Sequence, residues 1–218
     1  MRVRRWMLGG IATGLAVGVL AAGSPAHAAA VVVLSQGHVD AVDVAFEDGA
    51  FEISVHDETV EPDVERDPAT VVFQVRRQAA VTVPDDPAYA FVGSPGATVY
   101  VLPETQDPEL LWAGLATEEL EPGVFAGDRV DVRFRQVIGP DGVSLFVTDP
   151  VGAPVVAVDS EDGLPDVVTL PVATHVHYNW AFERRGVYLL KVDVTGRLAS
   201  SGATVTSDAV WLKFVVGL

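Results

Sequence analysis

The sequence contains no cysteine. That excludes a disulfide framework, a lipid-carrying thiol anchor and any thiolate metal ligand, so a hydrophobic core must supply the stability. Basic residues are scarce: 14 Lys and Arg stand against 30 Asp and Glu, a formal charge of −16. Such a surface repels nucleic acid and anionic membranes and attracts cations, whether metal ions or basic partners. The plainer alternative is a solvated acidic face on an exported protein. A Gly-x-Ser-x-Gly nucleophile elbow and a glycine-rich phosphate loop are also missing.

What is there begins with an export signal over residues 1–28. Arg2, Arg4 and Arg5 precede an apolar run from Trp6 to Ala22, and Ala26-His27-Ala28 is a small-residue cleavage pattern, so the chain is expected to be cut after Ala28. Residues 29–218 are expected to form a single domain, secreted or extracellular, without stable membrane insertion once the signal is removed. Phe214 to Leu218 carries no apolar anchor or sorting signal, so any retention at the cell surface is expected to run through a partner.

Short alternating segments separated by turn signals dominate the rest. Asp48-Gly49 is a hairpin turn, and the register it sets pairs Glu47 with Ala50, Phe46 with Phe51, Val44 with Ile53 and Val42 with Val55. Continued without a break, that register leaves His38 and Asp40 on the core side and His56 on the solvent side; only a β-bulge would bring them together. Thr70 to Arg76, Arg129 to Val137, Val143 to Val147, Val187 to Val194 and Thr204 to Val216 also alternate as strands. The acidic, proline-punctuated stretch Asp57 to Pro68 is a loop whose spacing matches no EF-hand. Only Glu109 to Leu120 offers a helical turn, with Thr117 as a cap. The fold class expected is all-β, an antiparallel β-sandwich of immunoglobulin-like type with at most one short helical segment.

The most informative stretch is Thr174 to Phe182, expected as part of one strand from about Val172. Val176, Tyr178, Trp180 and Phe182 fall on one face, and His175, His177, Asn179 and Ala181 on the other. An imidazole pair at i and i+2 can reach one metal ion. His175 and His177 are the candidate ligands, with His38 as third, and Asp40 and Asn179 as residues that would orient an imidazole. Three neutral imidazoles suit zinc or copper. No catalytic residue can be named, because no general base stands out, and Glu118 and Glu119 read as solvated.

These blocks resemble the actinobacterial surface-anchored protein domain, also described as the choice-of-anchor M domain. The resemblance rests on Gly37-His38-Val39-Asp40, Leu111-Trp112-Ala113-Gly114 with Thr117-Glu118, and His175 to Phe182 followed by Gly186-Val187-Tyr188. It implies a cell-surface module, some members of which accompany metal-type ABC uptake systems. The partners it suggests are components of such a transporter or another surface protein. The competing expectation is a non-catalytic structural or interaction module; a metal-dependent hydrolase or redox enzyme ranks behind both.

Overall fold

The computed structural model describes residues 30–218; the export signal expected over residues 1–28 lies outside them. The strands run β1 (Val32–Leu34), β2 (Gly37–Glu47), β3 (Ala50–Asp57), β4 (Val64–Arg66), β5 (Val71–Val75), β6 (Ala80–Thr82), β7 (Thr98–Leu102) and β8 (Leu111–Ala116) in the first half. The second half adds β9 (Arg129–Ile138), β10 (Val143–Thr148), β11 (Pro154–Asp159), β12 (Asp166–Pro171), β13 (His175–His177), β14 (Asn179–Phe182), β15 (Gly186–Arg197), β16 (Thr204–Thr206) and β17 (Val210–Val216). Helical structure is confined, among the described residues, to 3-10 turns, of which the longest is Pro87–Val92.

The result is the expected all-β sandwich. One sheet runs β1-β5-β17-β15-β9-β12 with β16 on β15, a second runs β11-β10-β14-β7-β6, and the third runs β13-β8-β2-β3-β4. Most pairings are antiparallel, but β1 with β5, β17 with β5 and β2 with β8 are parallel. Between the sheets lie Phe73, Phe134, Trp180, Phe182, Tyr188 and Phe214, each at most 1% exposed. Each large side chain removed from water in this way contributes roughly 1.5–3 kcal/mol.

Three expectations are corrected. Leu111 to Ala116 is a strand, not a helical turn, because Leu111, Ala113 and Leu115 alternate into the core. Thr117 therefore caps no helix: its hydroxyl donates to the Pro171 carbonyl at 2.7 Å, and its backbone N–H donates to Thr174. The expected single strand through Phe182 is broken at Tyr178, so that β13 pairs with β8 while β14 joins β10 and β7 in another sheet. Alternation alone cannot reveal such a switch, since it continues across the break.

The third correction concerns the first hairpin. Asp48 and Gly49 both have positive φ, at 50° and 85°, as a primed two-residue turn requires. The register holds as expected from Glu47 opposite Ala50 to Asp43 opposite Ser54, and then shifts. Ala41 and Val42 together stand against Val55, so Asp40 faces His56, and the same shift appears against β8. The predicted Val42 to Val55 pairing is replaced by a bulge, and one extra residue turns every earlier side chain of β2 to the opposite face.

Candidate metal centre

The bulge carries His38 and Asp40 from the expected core side onto the polar face of the third sheet. Across that face the register sets Trp112 beside His38, Gly114 beside Asp40, and His177 beside Gly114. His175, two residues before His177, points the same way. The three candidate histidines therefore converge, with one nitrogen from each within 4.8 Å of the others. These residues form a cluster that could hold a metal ion.

His38 Nε2 and His175 Nε2 lie 3.2 Å apart. Asp40 Oδ1 sits 2.9 Å from His175 Nε2 and 3.9 Å from His38 Nε2. Asp40 is only 1% exposed, and neither carboxylate oxygen has a hydrogen-bond partner. Leaving an ionised carboxylate in such a place is costly unless a cation compensates it. Burial accordingly raises the Asp40 pKa, against the opposing charges of His175, His38 and His56.

The outer nitrogens of the imidazoles face carboxylates. His38 Nδ1 lies 2.9 Å from Glu58 Oε2, which leaves Nε2 directed at the centre. His175 Nδ1 faces Glu118 Oε2 at 4.0 Å. A carboxylate behind a ligand imidazole fixes its tautomer and raises its basicity. Glu118, read from the sequence as solvated, thus lies behind the centre.

His177 is held differently, stacked on Trp112 with ring centroids 3.6 Å apart and planes 5° from parallel. Both of its ring nitrogens are buried without a hydrogen-bond partner. Burial, then the neighbouring charge of His175, push its pKa down to about 4, against a weaker opposing pull from the Ala113 carbonyl. The ring is therefore neutral at physiological pH, the form that binds metal. Trp112 is fixed in turn by its indole N–H, which donates to the Glu104 carbonyl at 2.9 Å.

Gly114 makes the convergence possible. A Cβ there would run into Asp40 Oδ1 and lie 2.8 Å from His175 Nε2 and 3.1 Å from His177 Cε1. Its place in Leu-Trp-Ala-Gly was noted from the sequence, but its role depends on what lies opposite it. Asn179, expected to orient an imidazole, belongs to the neighbouring sheet. Its Oδ1 accepts from the Glu104 N–H at 3.0 Å and its Nδ2 donates to the Phe146 carbonyl at 3.3 Å, so its amide serves the backbone there. Trp180 is wholly buried in the core, as its face in the alternation required.

The class defined by fold and site is an all-β sandwich with a histidine cluster on one sheet face. No protein-family model, no curated protein and no solved structure matches the chain.

Proposed function

We propose that the protein is a secreted or cell-surface β-sandwich module that binds a transition metal, zinc or copper, through His38, His175 and His177, and serves metal acquisition at the cell surface. The observation that carries the reading is the buried, hydrogen-bond-free carboxylate of Asp40 facing the Nε2 atoms of His38 and His175. Three imidazoles and a carboxylate are the donors zinc takes in tetrahedral sites, and imidazole suits copper equally. The resemblance to the actinobacterial surface-anchored domain supports the surface location and a metal-uptake ABC transporter, or another surface protein, as the partner. Binding rather than catalysis is the role, with no residue assigned as general acid or base.

The test is metal content. The chain, purified without a histidine tag, is dialysed against a mixture of zinc, copper, manganese and calcium and measured by elemental mass spectrometry, beside His175→Ala with His177→Ala. About one zinc or copper ion per chain, lost in the double variant, is expected. A wild-type chain that retains none of these metals overturns the reading.

A further inference from the structure

The same bulge brings a second set of donors to the other side of Asp40. Asp43 on β2, His56 on β3 and Glu65 on β4 have donor atoms within 4.8 Å of one another. They share a face because Asp43 pairs with Ser54, and His56 pairs with both Asp40 and Glu65. His56 and Glu65 each have an outer atom engaged in a way that leaves an inner one free. His56 Nε2 binds Asp63 Oδ2 at 2.8 Å, so Nδ1 turns inward, 3.9 Å from Glu65 Oε1. Glu65 Oε2 accepts the Ser54 hydroxyl, so Oε1 faces His56. Asp43 is 5% exposed, and among the described residues no Lys or Arg forms an ion pair with Asp40, Asp43 or Glu65.

Asp40 connects the two groups. Its Oδ1 faces His175 and His38, while its Oδ2 lies 3.9 Å from His56 Nδ1. Both oxygens are buried and unpartnered. A carboxylate presenting one oxygen to each of two donor groups has the arrangement of a bridging ligand, and two cations sharing it would compensate the whole acidic row.

We propose that the chain binds a second divalent cation through Asp43, His56 and Glu65, adjacent to the histidine centre and joined to it by the carboxylate of Asp40. This rests on the metal-binding reading above. The donor sets differ: the first is dominated by imidazole, whereas the second has carboxylate oxygens and a single imidazole, which suits a harder ion such as manganese. Binding an ion at the first group would fix Asp40 in place for the second, so the two are expected to load with positive coupling.

The experiment is equilibrium dialysis of the untagged full chain against zinc and manganese together, with elemental analysis of wild type, of His56→Gln with Glu65→Gln, and of His175→Ala with His177→Ala. Wild type is expected to hold about two ions per chain, and the His56 and Glu65 variant about one, with zinc retained and manganese lost. Pulsed electron paramagnetic resonance of the bound manganese is expected to show one coordinating imidazole, a readout that does not depend on any variant folding. About one ion in wild type, unchanged in the His56 and Glu65 variant, overturns the second site and leaves the histidine centre standing. No ion in wild type overturns both, and manganese coupled to several imidazoles places that ion at the first centre and overturns the second.

Discussion

Asp193 and Asp40 are both buried aspartates on strands, 5% and 1% exposed, yet they are provided for in opposite ways. Asp193 receives Arg133 Nε at 2.6 Å and Arg135 Nη1 at 3.0 Å, one on each oxygen. Asp57, fully buried, is treated alike, with Arg66 at 2.7 Å and the backbone and hydroxyl of Thr59. Asp40 faces the imidazoles of His38, His175 and His56, has no guanidinium beside it and makes no hydrogen bond. Asp193 and Asp57 are thus each compensated by a guanidinium, and Asp40 is not.

Replacing these two aspartates should separate the cases, with the largest effect at Asp40. Asp40→Asn removes a ligand and a charge, so metal affinity is expected to fall by at least the 10–100-fold that even loss of an outer-shell partner costs, by order of magnitude. The metal-free variant should be no less stable than the metal-free wild type, because an uncompensated charge is gone. Titration calorimetry and thermal melts check both halves. Gly114→Ala comes next: its methyl would occupy the space where Asp40 and His175 meet, at a cost of about 1–3 kcal/mol and with metal binding impaired. Denaturant melts and the same calorimetry measure it.

Asp193→Ala should destabilise by about 1–2 kcal/mol, the low end for a charged hydrogen-bonded group because the Arg135 side chain is 42% exposed, and should leave metal binding unchanged. A pH-dependent effect is expected at the acidic group of Asp141, Glu161 and Glu183, which has no imidazole. Burial, then the hydrogen bond and charge of Glu161, push the Glu183 pKa up to about 7 from 4.5. The folded state then holds this proton more tightly than the unfolded chain, so stability is full below about pH 4.5 and declines as pH rises through about 7. Glu183→Gln is expected to lose less thermal stability than wild type between pH 5 and pH 8.

Much of this contrast is legible in the sequence, and the rest is hidden for definite reasons. The strict alternation through His175 and His177 placed both rings on one face, and Asp48-Gly49 gave the hairpin and most of its register. The bulge was invisible because Ala41 and Val42 are both small and apolar, and either can serve a core position. An unbroken alternation consequently puts His38 and Asp40 on the wrong face and keeps His56 from them. The sequence hides β12 because Pro165 and Pro171 bound it, and prolines argue against a strand. Leu111 to Ala116 misled because Leu, Ala and Glu-rich flanks favour helix by composition, while tertiary pairing to β2 and β13 decided for a strand. Asn179 followed the right alternation into the wrong sheet.

Zinc is expected to stabilise the chain through Asp40 and its histidines, and a thermal melt with and without zinc measures this. At a zinc concentration about a hundred times the dissociation constant, the untagged wild-type chain is expected to melt about 5–10 °C higher than without metal, and Asp40→Asn to gain much less. A wild-type melting temperature unmoved by zinc, copper or manganese would contradict the account.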